Sequence, residues 1–460
     1  MRPKSSSANG NHRTLYKPDS PETQVDLLRY LRETITQFLE IHTEQHLQTN
    51  ELPPEDRAII ARREASHPLI TFDGRLKFDS EQTYAQLDAI LSTMDLYAIF
   101  RSNSAQESSA PHRVHIVYGR PKRSQSSASI PWLNIVLFVA TVMSLLLTGT
   151  MIAIGEIGIE DPAQAELIRS SLGNTLREMW RGWPYALSLL LILVPHEMGH
   201  YLTTRYYKAS ASLPYFLPAF LISPFGTFGA AIILRDSLRN RKWLLDLGAS
   251  GPIAGFIFAV PVLFIGLATS PLLPIQPGGF VEGNSILYAL AKLIIFGEVL
   301  PNGEVDVFVN QLAWAGWTGL FVTALNMIPL GQLDGGHILY ALLGNRARLL
   351  YWPLMGAMLG LTLFVSQVWL FFAVILLLVG RYYAVPLDNI TPLGAKRRWT
   401  GYVALVIFIL SFTPIPLAEQ GELSGVLQSF LSIQPLSLMA TVTLLSLNFR
   451  SRCGHHTNVP

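Results

Sequence analysis

Residues 131–155, PWLNIVLFVATVMSLLLTGTMIAIG, contain no charged side chain. A helix crosses the ~30 Å hydrocarbon core of a bilayer with about 20 apolar residues, because it satisfies its own backbone groups. Further spans are predicted at roughly 184–204, 243–270 and 309–329, near 400–418 and at 425–447, the first span being 131–153. The apolar block 349–380 is too long for one ordinary span. Ser366 and Gln367 at its middle, with Arg348 and Arg381 at its ends, predict a tight helical hairpin there. Charged residues are only 14% of the chain, against about 25% in soluble proteins. The expected fold class is a multi-pass α-helical membrane protein, about 7–8 spans plus a re-entrant hairpin, with a small α+β soluble N-terminal domain.

The re-entrant hairpin is placed at 211–234, ASLPYFLPAFLISPFGTFGAAIIL. The segment is long enough to cross, but Pro214, Pro218, Pro224, Gly226 and Gly229 would break a helix. Arg205 and Lys208 before it and Arg235, Arg239, Arg241 and Lys242 after it put both ends on one side. With that choice the proposed inner segments also hold Arg120, Lys122, Arg123, Arg346, Lys396, Arg397 and Arg398. The proposed outer loops hold only Arg169, Arg177, Arg181 and Lys292. Positive charge accumulates on the cytoplasmic side, so the N-terminal domain is expected there.

That domain is assigned to residues 21–120, after a disordered tail at 1–20. Val25, Leu28, Leu31, Ile35, Phe38 and Ile41 recur at a helical period. Residues 74–78, a helix from about Asp79 to Phe100, and residues 112–120 suggest a β-α-β unit. A basic, Ser-rich linker at 121–130 leads to a membrane domain at 131–448 with its core at 180–345, and a polar tail fills 449–460. The polar N-terminus shows no signal-peptide pattern. A single Cys453 excludes a disulfide framework within the chain, and the net charge of +2 gives no reason to expect nucleic acid as a partner.

Inside the second span stands LVPHEMGHYL, residues 193–202. An unpaired Glu at that depth costs ~3 kcal/mol or more, so it needs compensation. Residues four apart on a helix share a face, so His196 and His200 can offer two imidazoles to one ion. Glu197, rotated by about 100°, would reach a metal-bound water instead. Zinc lowers the pKa of such a water towards ~7, and the carboxylate takes its proton as it attacks a carbonyl. The alternative is a pair of helix-packing histidines with a stray Glu.

A catalytic zinc site takes three protein ligands. Downstream, ALNMIPLGQLDGGHILYALLG (324–344) holds Asp334 at the end of an apolar span. By its position alone Asp334 is either a ligand or the N-cap of the next helix, and His337 is a competing ligand.

These residues resemble the site-2 protease family of intramembrane zinc metalloproteases. The resemblance rests on HEMGH in a membrane helix and on Asn326, Pro329, Asp334 and Gly335 in an N-x-x-P-x-x-x-x-D-G pattern; GTFGA (226–230) and SGPIAGF (250–256) add to it. It covers about 180–400 and is closest to the branch without a PDZ domain, with a soluble N-terminal region, found in cyanobacteria and chloroplasts. It implies His196, His200 and Asp334 as ligands of one zinc ion per chain and Glu197 as general base. Asn326 would stabilise an oxyanion or orient substrate, and Gly226 and Gly229 would free hairpin backbone beside the substrate. The expected function is hydrolysis of membrane-spanning protein substrates near the inner face, in a bacterial, cyanobacterial-type plasma or thylakoid membrane. A membrane metal-ion transporter and an inactive, membrane-protein-binding scaffold are the alternatives.

Overall fold

The computed structural model describes residues 21–60, 69–103, 110–119, 131–220, 222–275 and 280–419. Helix α1 (Pro21–Phe38) buries Leu27, Leu31, Ile35 and Phe38 along one stripe, the spacing of an amphipathic helix. It leads into β1 (Leu39–Leu47), α2 (Pro54–Ile59), β2 (Leu69–Leu76), α3 (Ser80–Ser92), β3 (Leu96–Ser102) and β4 (His112–Tyr118). The strands form an antiparallel sheet in the order β1-β2-β4-β3. Asp79 caps α3 by accepting from the backbone N–H groups of Glu81 and Gln82. The helix expected to reach Phe100 stops at Ser92. Asp95 turns the chain at a φ of 54°, and the alternating, β-prone LYAIF continues as the buried strand β3.

The membrane part begins with α4 (Pro131–Glu160), α5 (Pro162–Arg169), α6 (Leu172–Arg177) and α7 (Trp183–Tyr206), followed by strands β5 (Tyr215–Pro218) and β6 (Thr227–Ala231). Then come α8 (Arg241–Ala268), β7 (Leu272–Pro274), β8 (Phe280–Glu282), α9 (Ile286–Phe296), β9 (Val305–Val307) and α10 (Gln311–Asn326). The described chain ends with α11 (Asp334–Leu343), α12 (Tyr351–Phe364), α13 (Trp369–Val379), α14 (Ala395–Ser411) and β10 (Leu417–Glu419). Helix α8 is central and packs against α7, α10, α11 and α14. Leu189, Leu263, Trp317 and Phe321 lie in the core that these helices share. Ile135, Val136 and Val139 on α4 and Ile257 and Ile265 on α8 face outward, as side chains in contact with lipid would.

Among the described residues, three helices are long and apolar enough to cross a membrane: Trp132–Glu160, Arg241–Ala268 and Asp334–Phe364. This overturns the expectation of about 7–8 spans, for reasons that differ by segment. Helix α7 has 24 residues, but His196, Glu197, His200 and Arg205 reduce its apolarity. Helix α10 has 16 residues, a rise of only about 24 Å. The block 349–380 divides into α12, of 14 residues, and α13, of 11, with α12 continuing the candidate span that starts at Asp334. Helix α14 has 17 residues and opens on Lys396, Arg397 and Arg398. The expected span 425–447, both tails and the linker 121–130 lie outside the described residues.

The re-entrant hairpin is overturned as well. Residues 211–220 and 222–234 form an antiparallel β-ribbon in which Tyr215 faces Ala231 and Phe216 faces Ala230, with a further bridge from Ala211 to Leu234. The prolines exclude a helix, as expected, but strand pairing satisfies the backbone groups instead. At the tip Gly226 has a φ of 70°, a conformation that favours glycine. The ribbon packs on α4 and α7.

Candidate metal centre

The site is assembled from two helices and held in shape by a third. Helix α7 presents His196 and His200 one turn apart, their ring centroids separated by 5.1 Å. Asp334 comes from the start of α11. The N-cap of α11 is Leu333, whose side chain makes no capping bond, so the capping reading of Asp334 does not hold. Its carboxylate turns towards the histidines: Oδ2 lies 3.2 Å from Nε2 of His200 and 3.4 Å from Nε2 of His196. The two Nε2 atoms are 3.3 Å apart. For a four-coordinate ion with bonds of about 2.0–2.1 Å, tetrahedral geometry separates ligand atoms by about 3.3–3.4 Å. The three donors therefore stand where one metal ion would draw them together, and among the described residues they form a group able to hold one.

The surroundings fix the ring orientations. His200 Nδ1 lies 2.8 Å from the backbone carbonyl of Leu247 on α8. A carbonyl only accepts, so this nitrogen carries the proton and leaves Nε2 free as a ligand. A Cβ placed on Gly251 would lie 2.1 Å from His200 Nε2, and one on Gly255 would lie 3.1 Å from His196 Nδ1. Gly199, between the two histidines, comes so close to α8 that a Cβ there would meet the carbonyl oxygen of Ser250 at 2.6 Å. The small residues of SGPIAGF thus make room for imidazoles as well as for helix packing. The Gly251-x-x-x-Gly255 spacing is the sequence signal that could have revealed this.

Glu197 is 3% exposed and opens on the same cavity of about 540 Å³ as His196, His200, Asn326 and Asp334. Asn326 Nδ2 lies 3.4 Å from His196 Nε2. His337 also lines the cavity but stands outside the three-residue group. The hairpin glycines are not brought into the cavity wall. Gly226 packs against Thr148 on α4 and Gly229 faces Val322; the wall is built instead by the stretch that follows, from Ala230 to Leu234. Asp246 pairs with Arg397 at 2.9 Å and accepts from the Tyr207 hydroxyl, tying together the ends of α7, α8 and α14.

Residues 184–359, which hold His196, Glu197, His200, Asn326 and Asp334, match peptidase family M50. This chain is 31% identical over 268 residues to the probable chloroplastic zinc metalloprotease EGY2 of Arabidopsis thaliana, covering 57% of this chain and 47% of that protein. It is 28% identical over 371 residues to EGY2 of Oryza sativa subsp. indica, covering 78% and 64%. With EGY1 of Arabidopsis thaliana it shares 26% over 381 residues, covering 76% and 67%. The chain thus spans about half to two-thirds of the length of these relatives. No solved structure matches it.

Proposed function

We propose that this chain is a zinc endopeptidase that hydrolyses peptide bonds of membrane-spanning proteins within or beside their transmembrane helices. The observation that carries this reading is the convergence of three ligand atoms at 3.2–3.4 Å in a cavity that also holds a buried carboxylate of no other evident use. Two imidazoles and a carboxylate suit zinc and leave a fourth position of the tetrahedron open. Zinc, when bound, supplies Lewis acidity at that position. Glu197 then serves as general base and acid, taking a proton from the attacking water and returning it to the leaving amine. The Leu247 carbonyl keeps His200 in the tautomer that binds metal, and Asn326 offers an amide N–H to a developing oxyanion. The backbone of Ala230–Leu234 offers a strand edge on which an unwound substrate segment can be held by main-chain hydrogen bonds.

The division into an N-terminal part at 21–120 and a membrane metalloprotease domain at 131–448, with its core at 180–345, belongs to this proposal. So does a cytoplasmic N-terminal part in a plasma or thylakoid membrane of cyanobacterial or plastid type. The pairing of Lys242 at the start of α8 with Glu81 of the N-terminal part supports a shared side for the two. The test is membrane proteomics of cells carrying wild type or Glu197→Gln. Single-span proteins should accumulate uncut in the mutant while the purified mutant keeps its zinc; equal processing by the two would sink the hydrolase reading.

A further inference from the structure

The N-terminal sheet does not end at β3. On the outer edge of β3, the backbone N–H of Phe100 donates to the carbonyl of Leu387 at 2.9 Å, and the N–H of Asn389 donates to the carbonyl of Phe100 at 3.1 Å. On its other side the same segment pairs with residues 238–240. Leu387 N–H donates to Leu238 O at 2.9 Å and Asp388 N–H to Arg239 O at 2.8 Å, and Asp388 bridges both Phe100 and Asn240 in parallel. Residues 387–389, outside the regular strands, thus act as a short bridging strand, joined at Asp388 to both the N-terminal sheet and the catalytic part by isolated bridges.

One side chain clamps this strand. Arg101, 7% exposed, donates from Nη1 to the carbonyls of Phe100, Pro386 and Leu387 at 2.7, 3.1 and 2.8 Å. Its Nε and Nη2 pair with the buried carboxylate of Asp56 at 2.7 and 2.6 Å. Asp388 fixes the far end by accepting from the N–H groups of Ile390 and Thr391 at 3.1 Å each. Around the clamp, Glu81 pairs with Lys242 at 2.6 Å and Asp88 with Arg239 at 3.1 Å.

The strand leads to the metal centre by a short path. Asn240 caps α8 by accepting from Lys242 N–H and Trp243 N–H. Two turns further along α8, Leu247 holds His200 by its carbonyl. Leu238 and Ala384, at either side of the shared strand, line the cavity that contains Glu197. We propose that Arg101 is a positioning residue: through the shared strand 387–389, the N-terminal sheet sets the placement of the start of α8 and of the cavity wall. A displacement of ~1 Å in such a support can lower a rate by about 100-fold.

This rests on the endopeptidase reading of the site, and the experiment separates the two. Full-length protein in detergent carries Arg101→Met together with Asp56→Asn, so that Asp56 is not left as a buried charge without its partner. A second variant, Glu81→Gln with Asp88→Asn, releases the α3 contacts and removes no core side chain. Hydrogen exchange on metal-free protein is read at peptides covering 236–247 and 386–389, with β2 and β4 as the folding control. In both variants exchange should rise at 236–247 and 386–389 while β2 and β4 stay protected, and kcat should fall by about 10-fold or more in the first and about 3-fold in the second, with KM little changed. Unchanged exchange at 236–247 in both variants overturns the proposal, whatever the activity. If the first variant also loses protection in β2 and β4, the second decides alone. If wild type cleaves nothing, the endopeptidase reading fails and the exchange result still decides this one.

Discussion

The Nδ1 of His200 faces the carbonyl of Leu247 at 2.8 Å, so the opposite ring nitrogen is the one that meets Asp334. A backbone atom of α8 thereby selects the tautomer of a residue on α7. The geometry of the metal centre depends on how closely those two helices approach, and the first prediction tests that approach.

Gly251→Ala should abolish metal binding and lower activity by at least about 100-fold, because its Cβ would lie 2.1 Å from His200 Nε2. Gly356→Ala in α12, where a Cβ meets nothing within 4 Å, is the control. It should bind metal normally and be stabilised by up to ~1 kcal/mol, the usual gain of Ala over Gly in a helix. Zinc content by elemental analysis and thermal unfolding in detergent check both.

Asp334→Asn should lose tight metal binding without loss of helix, since Asp334 is not the cap of α11. Competition with a chelating dye should show affinity reduced by ~100-fold or more, while far-ultraviolet circular dichroism stays unchanged. Retention of wild-type affinity would show that the carboxylate is not a ligand.

Lys292, assigned from its charge to an outer loop, is fully buried. It pairs with Asp306 at 3.1 Å and Glu282 at 3.5 Å, and Glu282 also accepts from the Tyr288 hydroxyl at 2.7 Å. Lys292→Met would leave two buried carboxylates without their cation, a loss of about 3–5 kcal/mol. A marked fall in thermal midpoint is expected, partly restored when Glu282→Gln and Asp306→Asn are added.

His115 on β4 is 2% exposed and lies 2.8 Å from the Thr71 hydroxyl. Burial first, then Arg101 and Arg113, push its pKa down to about 3. The unfolded chain binds the proton at the ordinary value of about 6.5, so between pH 6.5 and 3 the unfolded state holds more protons. Stability contributed by neutral His115 is therefore present above pH 6.5 and falls with pH through that window, at up to ~1.4 kcal/mol per pH unit. Protection from hydrogen exchange at β2 and β4, taken relative to the intrinsic exchange rate at each pH, should fall between pH 6 and 4, and His115→Gln should flatten the trend.

The candidate ligands on α7 were legible because an acid and two bases at helical spacing are anomalous in an apolar run. Asp334 was not legible from its position alone, since a carboxylate ahead of Gly335 and Gly336 is equally good as a cap; only the family resemblance favoured the ligand. The number of long apolar helices was misread because apolarity does not distinguish lipid contact from burial. Trp317, Leu320 and Phe321 on α10 are apolar and lie in the core. The shared strand at 387–389 was invisible because its pairing joins residues far apart in sequence, which no local periodicity records.

Gly199 against Ser250 leaves the seam between α7 and α8 too narrow for an acyl chain or a polypeptide. In the proposed function a peptide bond approaches the Glu197 carboxylate along residues 230–234, which line its cavity. An engineered disulfide across the α7–α8 seam should then be harmless to turnover, whereas one that fixes residues 230–234 should stop it.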